Sequence, residues 1–134
     1  MLVESFLAFG LYFFTAIALA ILFLFLYAVV TPYDDYKLIF EDNNTAAAIG
    51  LGGAITGLSI PMYSALSNSV TYIDFLIWAG VAMLIQLIFA LFMTRLGGKY
   101  SFAKQISSGA LPAGITIAFI SISIGLINAG SMSY

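Results

Sequence analysis

The sequence predicts an all-α, polytopic membrane protein: four transmembrane helices in two tandem two-helix repeats, related by a pseudo-two-fold axis along the membrane normal. Three observations predict it. Of 134 residues, 63% are hydrophobic and 7% charged, where a soluble domain carries about a quarter charged residues and has too small a core to hide so much apolar surface. The apolar residues gather into four stretches, each near the roughly 20 helical residues that a hydrocarbon core requires. The chain also matches itself without a gap when slid by 64 residues.

The first stretch, at about 6–30, holds no charge. It is too long for a signal-peptide core and lacks a basic start, so it reads as a retained span. The others fall at about 45–66, 74–94 and 109–129, and none alternates as a barrel strand would. Together they make one transmembrane domain, 1–134, with repeats at about 1–68 and 69–134. Under the shift, Ala18 meets Ala82, Gly50 meets Gly114, Ala54 meets Ala118 and Ser59–Ile60 meets Ser123–Ile124. Span and loop boundaries coincide too. Each half is then one helical hairpin, and two-span units keep their orientation, as in parallel transporter repeats.

Eight of the ten charges lie in two connections. Asp34, Asp35, Lys37, Glu41 and Asp42 give the first a net of −3, while Arg95, Lys99 and Lys104 give the third +3. Both connections lie on one side, and the positive-inside rule makes that side cytoplasmic and puts both termini outside. These are read as solvated loop charges, worth little as exposed pairs, although their opposite signs suit attraction within or between subunits.

The first and third spans are rich in Phe, Leu and Ile and read as lipid-facing walls. The second and fourth are rich in Gly, Ala and Ser. Ala46, Gly50, Ala54, Gly57, Pro61, Ser64 and Asn68 recur at steps of three or four, and Ala110, Gly114, Ala118, Ser121, Gly125, Asn128 and Met132 match them in the second half. Such stripes let backbones approach closely, either at the pseudo-axis or against another copy. Pro61 removes one backbone bond and frees the carbonyl of Gly57, for which Thr56, Ser59, Ser64 or a water is the expected partner. Pro112 falls in a first turn, where proline costs little. The candidate lining of a polar path is therefore Gly57, Pro61, Tyr63, Ser64, Ser121, Gly125 and Asn128. A second candidate lies at the inner helix ends, where Asn43, Asn44, Thr45, Ser107 and Ser108 supply N-cap groups suited to an anion, with Glu41 and Asp42 opposing that use. Gln86 is available to bond a neighbouring helix, and Asp74 reads as an N-cap.

The absent residues exclude much. With no His and no Cys, metal centres, haem, thiol catalysis and a Ser–His–Asp triad are not available within the chain. No cofactor, metal or enzymatic role is expected. The net charge of −2 suits no nucleic acid, and the spans carry no deep charge of the kind a proton pump uses.

The segment Tyr36-Lys37-Leu38-Ile39-Phe40-Glu41-Asp42-Asn43-Asn44-Thr45-Ala46-Ala47-Ala48, followed by Gly57 and Ile60-Pro61, resembles the YjfL-like family of small bacterial inner-membrane proteins, catalogued as a domain of unknown function. Gly125-Leu126-Ile127-Asn128-Ala129 resembles its second-half counterpart. The resemblance covers essentially the whole chain and implies two repeats of a two-helix unit in the inner membrane. Genes of that family often lie beside genes for envelope-stress proteins and for ligases making polyamine–peptide conjugates, but the family supplies no catalytic residues to carry over. The expected protein is an oligomeric channel- or transporter-like subunit, a dimer or larger. The alternative is a scaffold or accessory subunit of such systems that holds a cytoplasmic protein through its loops.

Overall fold

The computed structural model describes residues 1–96 and 100–132. Its helices are α1 (Leu2–Val30), α2 (Asp35–Phe40), α3 (Thr45–Asn68), α4 (Tyr72–Arg95), α5 (Phe102–Ser107) and α6 (Leu111–Ser131). The four long helices are apolar and long enough to cross a membrane. At about 1.5 Å per residue, the 29 residues of α1 exceed a hydrocarbon core of about 30 Å. The short α2 and α5 interrupt the two charged connections, where only loops were expected. Neither is long enough to show a hydrophobic period, which is why the sequence pattern passes over them.

Local chemistry sets the boundaries. Asn44 caps α3 by accepting from the amide of Ala47 at 3.0 Å. The turns leading into α3 and α6 each contain a left-handed residue, Asn43 (φ 53°) and Gly109 (φ 83°), residue types that tolerate that region. Two expectations about caps are corrected. Thr71, not Asp74, caps α4: its hydroxyl accepts from the Asp74 amide, while the Asp74 carboxylate accepts from the Val70 amide. That is a reciprocal arrangement like a capping box. And α6 has Ala110 as its N-cap residue, with no side-chain cap, because Ser107 closes α5 and Ser108 turns its hydroxyl back to the Gln105 carbonyl. Pro112 does fall in the first turn of α6.

Helices α3 and α6 form the central pair, with α4 packed on both and α1 packed on α4 and α3. The central pair runs parallel, since Ala46 meets Gly114 near one end and Ser64 meets Ala129 near the other. Helices α1 and α4 run parallel too: the Thr15 and Tyr72 hydroxyls are 2.9 Å apart, and Arg95 donates its Nε to the Val30 carbonyl at 3.0 Å. Phe23, Tyr27, Phe75, Ala79, Ala54 and Leu58 lie in the main apolar core. Most of α1 faces outward, with only Phe23 and Tyr27 buried, whereas α4, expected to be the matching wall, buries seven residues from Phe75 to Thr94.

Candidate functional site

The stripe expected on α3 and α6 closes into a seam built on backbone contact. A methyl group placed on Gly125 would lie 2.1 Å from the carbonyl oxygen of Gly57, and one on Gly57 would lie 2.4 Å from that of Ser121. On Gly114 it would lie 2.4 Å from the Ala46 carbonyl oxygen, and on Gly53 2.3 Å from the Ala118 Cα. No side chain larger than hydrogen fits at these four positions without moving a helix. Gly53 was not in the expected stripe. Ala54, which was, is buried instead in the core with Phe23 and Phe75.

Of the candidate lining residues, Gly57, Pro61, Ser64, Ser121, Gly125 and Asn128 are all buried at or beside this seam. Tyr63 is not among them, being 72% exposed. The Ser64 hydroxyl donates to the Ala129 carbonyl at 3.3 Å, bridging the two helices, and accepts from Asn68 Nδ2 at 3.1 Å. Asn128 is buried with its Nδ2 unpartnered, beside a shallow groove of about 350 Å³ whose other walls include Ile85, Phe89 and Ser131.

The partner of the proline-freed carbonyl differs from expectation. Helix α3 continues through Pro61, and the Gly57 oxygen accepts from Gln86 Nε2 of α4 at 3.0 Å. Thr56 and Ser59 instead donate to carbonyls of their own helix, those of Gly52 and Ile55. A side-chain amide from the next helix reaches farther than a hydroxyl, and it ties α4 to the centre of the seam.

At the other candidate site, Asn43, Asn44, Thr45, Ser107 and Ser108 do line one cleft, of about 420 Å³. Asn44 also donates Nδ2 to the Ile106 carbonyl at 2.6 Å, fixing the start of α3 to the end of α5. Asp42 stands in the same cleft and sets a negative charge where an anion would sit. Below it, on the faces that continue Thr45 and Leu111 by helical steps, Ile49, Gly52, Thr56, Ile115 and Phe119 border an open apolar groove of about 510 Å³.

The loop charges do not behave alike. Asp34, Lys37, Glu41, Asp42, Arg95 and Lys104 are exposed, as expected, and Lys99 lies outside the described residues. Asp34 caps α2 by accepting from the Lys37 amide at 3.2 Å. Among the described residues no ion pair joins the two loops. Asp35 contradicts the reading of a solvated charge: it is 1% exposed and accepts from the Thr31 hydroxyl. Burial pushes its carboxyl up to about 6, against the Thr31 hydrogen bond that lowers it, with Asp34 adding to the rise. Burial also raises the neighbouring Tyr33, and Asp35 adds to that. The signal available in sequence was the Asp34–Asp35 pair: once Asp34 caps α2, Asp35 becomes its first residue and follows the turn back toward α1. No group of three or more metal-ligating side chains occurs among the described residues.

Comparison with known proteins places the chain in a family of membrane proteins. The family model described as Domain of Unknown Function (DUF350) matches residues 1–132. The chain is 36% identical over 137 residues to the UPF0719 inner membrane protein YjfL of Escherichia coli strain K12, covering 99% of this chain and 98% of that protein. The YjfL protein of Escherichia coli O157:H7 gives the same values. No solved structure matches.

Proposed function

This chain belongs to the DUF350 family and is an integral inner-membrane protein; from that premise we propose that it is a scaffold subunit, working as a homo-oligomer, that holds a cytoplasmic protein partner through its charged loops. The seam carries this reading. Gly57, Ser121 and Gly125 meet backbone to backbone, so the candidate lining leaves no room for a solute within one chain. What one chain offers instead is a close-packed central pair with charges at one end that, among the described residues, form no ion pair. The positive-inside rule makes that end cytoplasmic, with both termini outside, and the 64-residue repeat relates the two hairpins about an axis normal to the membrane. The reading includes no enzymatic chemistry. Its test is cross-linking in native membranes with Arg95, Lys99 and Lys104 all changed to Glu. A cytoplasmic protein cross-linked by the native chain is expected to be lost from the variant, and unchanged capture rules out the loop role.

One observation favours a second reading, a channel- or transporter-like subunit whose path runs between copies. The polar cleft at Asn43–Thr45 and Ser107–Ser108 stands above the open groove at Gly52 and Thr56, on one outer face of α3 and α6. If a path lies there, Gly52→Leu abolishes solute flux in proteoliposomes while the chain stays folded, because nothing lies within 4 Å of a side chain begun at Gly52. Flux unaffected by Gly52→Leu, or absent for the native chain, removes this reading.

A further inference from the structure

Asp35 is the one charged residue buried among the described residues, and a proton count at its partner explains how the carboxyl is accommodated. The Thr31 hydroxyl lies within hydrogen-bond reach of three acceptors: the Ala28 carbonyl at 3.3 Å, the Tyr33 carbonyl at 3.2 Å and the Asp35 Oδ2. It has one proton to give. The Ala28 carbonyl has a particular need for it, because the residue four positions on, whose amide would continue the helix ladder, is Pro32 and has no N–H. With Asp35 ionised, the hydroxyl proton goes to the carboxylate and the Ala28 carbonyl is orphaned. With Asp35 protonated, the carboxyl donates to the Thr31 oxygen, and the Thr31 proton is released to a carbonyl. The geometry is complete with one more proton than an ionised site holds.

Among the described residues no base offsets the charge. From α1 the titratable neighbour is Tyr27, from the connecting turn Tyr33 and Asp34, and from α2 Tyr36. On α4, Arg95 is exposed and its Nε is engaged by the Val30 carbonyl. Lys37 on α2 and Lys104 on α5 are exposed. The only titratable group of α3 is Tyr63, near its far end, and α6 has none.

We propose that Asp35 is a proton-binding site, and that its occupancy couples the docking of α2 against α1 and α3 to pH. This is independent of the scaffold reading and adds an activity to it. The carboxyl's rise to about 6 has a definite sign. An acid raised in the docked state above the roughly 3.9 of a free aspartate binds its proton more tightly when docked. Docking is therefore tightest at acid pH, weakens as pH climbs from about 4 through about 6, and changes no further above that.

The test uses the full chain in lipid nanodiscs. Infrared difference spectra of native chain minus Asp35→Asn should contain a carboxylic-acid carbonyl band that disappears with a midpoint about two pH units above that of a free aspartate. A spin label at Lys37→Cys should gain mobility over the same range, and should be immobile and pH-independent when Asp35→Asn is added, since the amide donates to Thr31 at every pH. Thr31→Val, which takes the hydroxyl partner from both forms of the carboxyl, should shift the midpoint and serves if Asp35→Asn fails to insert; an unshifted midpoint overturns the part given to Thr31. A band titrating near 4, or no band at acid pH, overturns the proton site. A band titrating near 6 beside constant label mobility overturns the coupling.

Discussion

Helix α3 carries two stripes of small residues, and they have opposite fates. One, through Ala46, Gly50, Gly53, Gly57, Pro61 and Ser64, is buried, mostly against the backbone of α6. The other, through Gly52, Thr56 and Ser59, is exposed, with its Thr56 and Ser59 hydroxyls folded back onto carbonyls of the same helix. Both recur at steps of three and four, so the pattern alone gives either as the seam. What separates them is the partner. The facing positions on α6 are Gly114, Ala118, Ser121 and Gly125, small at every contact but that of Gly50, which meets the Ile117 side chain, while the exposed stripe borders Ile115 and Phe119 across an open groove. In lipid, where apolar burial drives helices together only weakly, close backbone approach on both sides is what selects a seam.

The most direct way to break this contrast is to add one carbon at the seam, from the α6 side, and one at the exposed stripe. Gly125→Ala places a methyl 2.1 Å from the Gly57 carbonyl oxygen. The backbone cannot swing away as a side chain can, so the helices must part, at an expected cost of about 2–3 kcal/mol or failure to assemble. Gly52→Ala meets nothing within 4 Å and should be neutral within about 0.5 kcal/mol. Reversible unfolding in mixed micelles, measured for both, gives the comparison. Equal costs would mean that both stripes are in close contact, the second with another copy.

How much of this was legible beforehand follows from the same geometry. The four spans, the hairpin orientation and the small residues of the second and fourth spans can all be read from composition and spacing. The choice between Gly53 and Ala54 cannot. Steps of three and four both keep a helical stripe, yet moving one residue rotates the position by about 100°, from the backbone of α6 to the core around Phe23. The inner helix-end residues were found as a group because they cap or flank helices whose starts lie side by side, although Ser107 and Ser108 serve α5 and not α6. Asp35 was missed because charge composition assigns an acid in a polar connection to solvent. Its burial depends on α2, a six-residue helix too short to leave a pattern.

A smaller effect sharpens what holds the inner stripe in place. Gln86 lies on α4, outside both stripes, and its Nε2 supplies the hydrogen bond that Pro61 denies to Gly57. Gln86→Leu should cost about 1–2 kcal/mol, as a buried carbonyl loses its donor. The informative measurement is the cycle with Pro61→Ala. Alanine restores an amide at position 61 that can reach the Gly57 carbonyl within the helix, so in that background Gln86→Leu should cost at least about 0.5 kcal/mol less. The sign of the coupling matters more than its size. If the two substitutions instead add within about 0.3 kcal/mol, Gln86 contributes by filling space between α4 and the seam. A positive coupling means that the proline of one helix is compensated by the amide of another. The central pair is then held together at Gly57 from three sides: α3 itself, the backbone of α6, and α4.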